Sequence, residues 1–436
     1  MSEESGGGPA RRNPWWIPPF LGRVPTSVSP GHVQLMGAVS LAAFFENFDQ
    51  AMLTQAVKQI AADFALGESE LGNLLGWVRL GAIPALLLIP VADRIGRRRV
   101  FLASVVGMSL ATALAAFSTS AAVFVGLQMV GRTFMVTCTA TAFVIVTEEL
   151  AAENRGWGIG IIGAVGAFGV GLSALLFAAI EWLPYGWRAM YVLGVMPLLL
   201  LPMLRRRVIE TARFQRHAAR SVSPGAAAFA AGWWKPVSSL VRAYPARTLG
   251  VALIGAAQSG SAAVAYNFSA FFVQSVHGWA PGQYSLMLLA AGSFGVVGYP
   301  LAGRMADSRG RRVVGFALFA ALPVLALGFY GVPGWALPVL WIPMVFALTG
   351  SSTIVRALST ELFPTSFRGT ASGWVQLVET LGAAAMLFLV SALTAEGESV
   401  VPAVRMVVFV SLLGALTLLA LPETGRRELE DVSAER

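Results

Sequence analysis

Long apolar stretches follow one another along almost the whole 436-residue chain, with short polar turns between them. Each runs for about 18–25 residues, the length that an α-helix needs to cross the hydrocarbon core of a bilayer. We place twelve spans at about 33–62, 71–92, 100–119, 121–147, 156–181, 186–204, 247–276, 282–303, 313–331, 335–360, 367–393 and 402–421. The pattern predicts an all-α membrane protein.

The composition agrees with a bilayer as the surrounding medium. Hydrophobic residues make up 56% of the chain and charged residues only 12%, with a mean hydropathy of +0.69. A soluble domain carries about 25% charged residues. The net charge of +8 is spread over several loops, so we expect a lipid bilayer and no nucleic acid as the partner.

Few side chains are available for metal or covalent chemistry. The only cysteine, Cys138, excludes an intramolecular disulfide, and the three histidines have no metal-ligand spacing. No nucleophile and base occur in a catalytic arrangement. We therefore predict no enzyme activity, no catalytic residue, no metal and no cofactor.

The loop charges predict the topology. Arginines fill the loops at 93–99, 205–247 and 304–312, whereas the intervening loops are short and poor in basic residues. Basic loops stay in the cytoplasm. With an even number of spans, both termini are expected there, in a multi-pass protein of the cell (inner or plasma) membrane. Residues 1–30 lack the apolar core of a cleavable signal peptide.

The chain repeats itself. Residues 89–100 read IPVADRIGRRRV and residues 303–314 read GRMADSRGRRVV; TEELAAENRG (147–156) has a counterpart in TELFPTSFRG (360–369). Two copies of one topology predict two bundles of six helices. We assign residues 1–32 to an N-terminal tail, 33–204 to the first bundle, 205–246 to a cytoplasmic linker, 247–421 to the second bundle and 422–436 to a C-terminal tail.

These motifs resemble the loop signature of the major facilitator superfamily, G-x-x-x-D-R/K-x-G-R-R/K-R/K, although Ile89 replaces the first glycine and Ser308 a basic residue. WRAMY (187–191) and PETGRRELED (422–431) are similar to motifs of its sugar-porter branch. Alanines replace the sugar-binding amides of span 7, which disfavours a hexose. Residues 46–49, ENFD, resemble the D-G-F/Y-D of proton-coupled aromatic-acid symporters.

The resemblance implies a cytoplasmic gate. In this fold the aspartate of each loop motif lies near the start of a helix of the other bundle, Asp93 near span 11 and Asp307 near span 5. A carboxylate there is stabilised by free N–H groups and the helix dipole. The expected gate residues are Asp93, Arg97, Glu148 and Arg155 in the first half and Asp307, Arg311, Glu361 and Arg368 in the second.

Ionisable residues at membrane depth are costly and mark functional sites. Asp49 and Glu46 lie three residues apart in span 1, and Glu379 lies within span 11; we predict that these three acids couple transport to protons. The side chains expected to contact substrate are Arg132, Arg79, Gln258, Tyr266, Asn267, Phe271, Trp374 and Gln376. Arg356 is assigned to the cytoplasmic network. Permanent pairing of the acids with the arginines is the structural alternative.

The sequence thus predicts a secondary transporter that works by alternating access. We expect a monomer that carries a small organic anion, with aromatic acids as candidates, together with protons in symport. A proton-driven exporter of amphipathic compounds and a transporter-like sensor that does not translocate are the alternatives.

Overall fold

The computed structural model describes residues 14, 16–17, 23–211 and 234–425, except 296 and 365. These residues form helices and connecting loops, with no strand among them. Of the predicted linker, residues 212–233 lie outside the described part, as does the C-terminal tail from residue 426 onward.

Twelve long helical segments carry the fold. We number them α1 to α12: Pro30–Gln55, Glu68–Val91, Arg97–Ala115, Ala121–Glu149, Arg155–Ala178, Trp187–Arg207, Pro245–Val276, Pro281–Arg309, Arg311–Phe329, Gly334–Glu361, Arg368–Leu393 and Val401–Ala420. A short helix, Val57–Asp63, continues α1, and another, Trp234–Ala243, precedes α7. A helical segment is therefore found at each of the twelve predicted spans.

By length and hydropathy alone, eleven of these segments could cross a membrane; α1 is the twelfth. Its 26 residues are long enough, but Glu46, Asn47, Asp49 and Gln50 lower its hydropathy. Two of these polar residues have partners on neighbouring helices, since Asp49 accepts from Thr112 of α3 and Gln50 from Arg132 of α4. The helix that departs from the apolar pattern is thus the one that carries the candidate chemistry.

Each half has its own apolar core. Met36, Phe101 and Ile145 lie in the core of α1–α6, and Phe319, Ile354 and Leu418 in that of α7–α12. A third cluster contains side chains from both halves, among them Phe177 and Tyr284, which meet edge to face. The two halves are therefore packed together at that level of the bundle.

The end of the molecule that contains Lys58, Gln274 and Ser391 is called the closed end here, because helices of the two halves meet there. Among described residues, the hydrogen bonds that join the halves all lie at this end. One group lies between the end of α1 and α7: Thr54 Oγ1 donates to Asn267 Oδ1 (2.8 Å), Lys58 Nζ to the Gln274 carbonyl (2.9 Å), Gln59 Nε2 to Gln274 Oε1 (2.7 Å) and Gln274 Nε2 to the Gln55 carbonyl (3.4 Å). The other group involves α2: Asn73 N donates to Ser391 Oγ (3.0 Å), Ser391 Oγ to the Ser69 carbonyl, and Val400 N to Glu68 Oε2 (2.8 Å).

A glycine permits the closest of these approaches. Gly72 of α2 lies directly against the Leu387 carbonyl of α11, so that a Cβ at residue 72 would overlap the carbonyl oxygen. Only glycine allows two helix backbones to come so near. Closure at this end therefore depends on the absence of a side chain at Gly72.

Candidate functional site

Asp49 lies about three-quarters of the way along α1 and is buried, with 5% of its surface exposed. Its Oδ1 accepts a hydrogen bond of 3.0 Å from the Thr112 hydroxyl of α3. The residue therefore faces the interior of the first bundle, towards α3. A buried carboxylate of this kind is retained only where donors or cations compensate for its lost hydration.

The guanidinium of Arg132 on α4 lies between polar groups of α1. Its Nη1 donates to Gln50 Oε1 at 2.8 Å and lies 3.7 Å from Glu46 Oε1. Asp49 is within its electrostatic range. A planar guanidinium binds carboxylates well, so the structure brings together three residues that the sequence singled out: Glu46, Asp49 and Arg132.

A second group of charges crosses from one half to the other. Glu379 of α11 interacts electrostatically with Arg79 of α2, which is also in range of Arg132 and Glu46. Arg356, which was assigned to the cytoplasmic network, also interacts electrostatically with Glu379.

The other predicted contact residues occupy varied surroundings. Gln258 is buried and donates to the Leu348 carbonyl (3.3 Å), while Trp374 Nε1 points to the Thr248 carbonyl (3.4 Å). Asn267 is engaged by Thr54 at the closed end, and Phe271 is buried in the cluster shared by both halves. Tyr266 packs on Trp341 with ring centres 5.8 Å apart, and Gln376 is exposed. Their substrate roles stay predictions.

The end that contains Arg97, Glu148, Arg311 and Glu361 is called the motif end. In the first half, Arg97 Nη2 binds Glu148 Oε1 at 3.1 Å. Glu210, beyond α6, accepts from the backbone N–H of Arg97 at 2.9 Å, and the Thr211 hydroxyl donates to Glu148 Oε2 at 2.5 Å. The start of α3 is thus tied to the ends of α4 and α6.

The second half repeats the bonds between arginine, glutamate and threonine. Arg311 Nη2 binds Glu361 Oε1 at 3.0 Å and its Nη1 binds Asp307 Oδ1 at 2.5 Å. Glu423 accepts from the backbone N–H of Arg311 at 2.7 Å, and the Thr424 hydroxyl donates to Glu361 Oε2 at 2.5 Å. The internal repeat therefore extends to hydrogen bonds, since α9, α10 and α12 are joined as α3, α4 and α6 are.

Sequence reasoning missed the Glu-Thr pairs in this network. The signal was present, because residues 208–211 read VIET after α6 and residues 421–424 read LPET after α12. Glycines before the two arginines make the geometry possible: Gly96 and Gly310 have φ values of 107° and 102°, which disfavour any other residue. Each helix start is then open to the glutamate that caps it.

The remaining predicted gate residues behave alike in the two halves. Arg155 Nε donates to the Leu150 carbonyl (3.3 Å) and Arg368 Nε to the Phe363 carbonyl (3.4 Å). The side chain of Asp93 lies outside the described part of the structure. The predicted approach of Asp93 and Asp307 to the opposite half stays a prediction.

We expect Glu423→Gln to lower the melting temperature at pH 7. Burial alone would raise the pKa of Glu423, but the backbone N–H groups of Gly425, Arg312 and Arg311 outweigh it and lower the pKa below its usual 4.5. The charge therefore stabilises the fold above that pH, and this contribution is lost as the pH falls through the lowered pKa. Melting curves in detergent between pH 7 and 4 should show the gap between variant and wild type closing.

The matched control is Glu396→Gln, which removes an exposed carboxylate from the loop between α11 and α12. Its melting temperature should follow that of the wild type throughout this range. A destabilisation by Glu423→Gln that stays constant down to pH 4 would contradict the role of the charge.

Known proteins were compared with this chain. The family model described as Major Facilitator Superfamily matches residues 39–387. A gallate transporter from Pseudomonas putida is 28% identical over 370 residues, which cover 79% of this chain and 81% of that protein. A cis,cis-muconate transport protein from Acinetobacter baylyi is 26% identical over 355 residues, covering 79% and 83%.

The solved structures agree on the fold. An inward open conformation of the xylose transporter XylE from E. coli aligns with a TM-score of 0.71 and 19% identity, over 92% of this chain and 99% of that one. The family match, the twelve helices in two related halves and the similar relatives all lead to one conclusion. The chain belongs to the Major Facilitator Superfamily, and it is a multi-pass membrane transporter of small molecules rather than an enzyme.

Proposed function

We propose that this transporter carries a small organic anion, foremost an aromatic or unsaturated carboxylate, in symport with protons. The observation that carries the proposal is the position of Arg132, which lies 3.7 Å from Glu46 and within the field of the buried Asp49. The similarity to proteins named for transport of gallate and cis,cis-muconate supports the substrate class.

Competition for Arg132 supplies the coupling. While Asp49 and Glu46 are both ionised, their charges neutralise the guanidinium and repel a second carboxylate. Protonation of Asp49 removes one of these charges, so that Arg132 can bind the substrate carboxylate in its place. Because linkage is reciprocal, a bound anion favours the protonated acid by the same factor. Proton and anion therefore bind together.

Glu379 supplies a second proton-dependent link, between the halves. Arg79 belongs to α2 and Glu379 to α11, and the two side chains attract each other electrostatically across the halves. A substrate carboxylate near Arg79 would compete with Glu379 for this attraction, and protonation of Glu379 would weaken it. Arg356 also attracts the ionised Glu379.

In the proposed alternating access, the closed end and the motif end open in turn. We assign the motif end to the cytoplasm, because its loops carry the arginine clusters, and both termini with it. Since the halves are joined at the closed end, this structure then represents an inward-facing state. On the way to the outward-facing state the closed-end hydrogen bonds break, while Asp93 and Asp307 approach α11 and α5. We propose that the protein works as a monomer in the cell membrane.

Uptake by reconstituted liposomes tests the substrate class. Radiolabelled gallate should accumulate when the outside is more acidic than the inside, and unlabelled muconate or benzoate should compete with it. Xylose and a lipophilic amine serve as controls and should not compete. Accumulation of the amine with no uptake of any carboxylate would contradict the proposal and favour an exporter of amphipathic compounds.

A further inference from the structure

The pocket around Asp49 contains more polar groups than the coupling scheme uses. Ser109 and Thr112 project from the same face of α3, and together with Asp49 they line a small cavity whose other walls include Phe48, Met108 and Pro197. The cavity lies between α1, α3, α4 and α6. It therefore sits behind α1, away from the surface at which the two halves meet.

One polar group that lines the cavity has no hydrogen-bond partner among the described residues. Ser109 Oγ is unpartnered, although Ser109 is only 1% exposed. Gln128, one helical turn before Arg132 on α4, lies close to the Asp49 carboxylate but does not line the cavity. Leaving a buried polar atom unpaired costs free energy, so an unpaired hydroxyl in a cavity beside a carboxylate points to a bound partner.

The size and chemistry of the cavity indicate what that partner is. The space holds about one water molecule, and a buried water needs two to four polar partners. A water here can donate to an Asp49 oxygen, with the hydroxyls of Ser109 and Thr112 as its further partners. These three groups match the donor and acceptor capacity of a water molecule.

We propose that Ser109 and Thr112 hold one water molecule against the Asp49 carboxylate and thereby set the pH range in which the transporter takes up its coupling proton. Thr112 donates directly to the carboxylate, and Ser109 acts through the water. In the transfer, a hydronium ion that reaches the site gives a proton to the bound water, which passes one of its own to the carboxylate. The water is left unchanged.

The charged and titratable groups around Asp49 come from three helices. Arg132 on α4 stabilises the ionised carboxylate, Glu46 on α1 opposes it, and the buried Tyr191 hydroxyl on α6 is within electrostatic range and unpartnered. None of these three lines the small cavity. Removing a hydroxyl of α3 therefore changes the hydration of Asp49 while Arg132 and Glu46 keep their places.

The inference of a water site rests on the proposed proton-coupled binding of substrate. The test below distinguishes failure of the water site from failure of proton coupling. Gallate affinity of the purified full-length protein is measured between pH 5 and 9 by tryptophan fluorescence. Thr112→Val should move the midpoint of the pH dependence upward by about one pH unit, because the carboxylate loses a donor to its charged form. Ser109→Ala should move it in the same direction by less. It also serves as the second variant if Thr112→Val does not fold.

The matched control is Thr141→Val. Thr141 is equally buried, but its hydroxyl donates to the Thr137 carbonyl of its own helix at 2.7 Å. Its midpoint should equal that of the wild type. Unshifted midpoints in Thr112→Val and Ser109→Ala, in a pH-dependent wild type, would overturn the inference alone. A wild-type affinity that does not change with pH would overturn the proposed function as well.

A titration in sodium salt distinguishes a bound water from a bound sodium ion in the cavity. The titration is repeated with sodium chloride in place of choline chloride at constant ionic strength. A water site predicts the same midpoint in both salts. A midpoint that falls steadily with sodium concentration would identify the cavity as a sodium site and overturn the assignment of water.

Discussion

Asp49→Asn should abolish proton-driven accumulation of substrate while leaving exchange intact. Asparagine has nearly the same shape as the protonated acid and can still accept from Thr112, but it carries no titratable proton. Arg132 then stays available to the substrate at every pH. In liposomes we expect accumulation under an inward proton gradient to fall at least about a hundredfold, to background. Exchange of labelled for unlabelled gallate should remain within a few-fold of the wild type.

The control for this variant is Asp63→Asn, which makes the same change at the closed end. Asp63 pairs with Arg188 at 2.8 Å and lies away from Arg132. The Asp63→Asn variant should still accumulate gallate under an inward proton gradient. Accumulation of gallate against its gradient by Asp49→Asn would remove Asp49 from the coupling mechanism and leave Glu46 and Glu379 as the candidates.

Gly72→Val should stop transport by preventing closure of the closed end. A Cβ at residue 72 would overlap the Leu387 carbonyl, and the branched side chain cannot be accommodated between α2 and α11. The halves then stay apart at this end, so net uptake and exchange should both fall to background. Folding should be retained, because the overlap is between the halves and not within either of them.

A cysteine introduced at residue 274 reports whether the closed end is shut. Gln274 is 3% exposed and hydrogen-bonded across the halves, and the single native cysteine, Cys138, is buried. A membrane-impermeant maleimide should react with Gln274→Cys from outside much faster when Gly72→Val is also present. Gly126→Val, at a glycine with open space around it, is the control. Slow labelling of the double variant would contradict this account of closure.

The span pattern and the repeat were readable from the sequence because both follow from simple physics. Hydrocarbon thickness sets helix length, and the chain repeats its arginine motif, so the pairs Arg97–Glu148 and Arg311–Glu361 could be anticipated. The depth of Asp49 in the membrane, estimated from the rise of about 1.5 Å per residue, stays a prediction. These features depend on one helix or on one half at a time.

The direction of side chains was harder to predict. Hydropathy does not distinguish a helix face towards lipid from one towards a neighbouring helix, so the burial of Asp49 against Thr112 was not foreseen. The interaction of Arg356 with Glu379 was not foreseen because it depends on the position of another helix. The bonds of Glu210 and Glu423 were overlooked because their partners are backbone N–H groups, which the repeated Glu-Thr pairs alone do not identify.

The central claim is that a proton and an organic anion cross together, and a pH dye inside liposomes tests it most directly. Wild-type protein is reconstituted with equal pH on both sides, and gallate is added outside. Symport predicts immediate internal acidification that depends on gallate concentration and is absent with Asp49→Asn. Entry of labelled gallate with no change in internal pH would contradict the account.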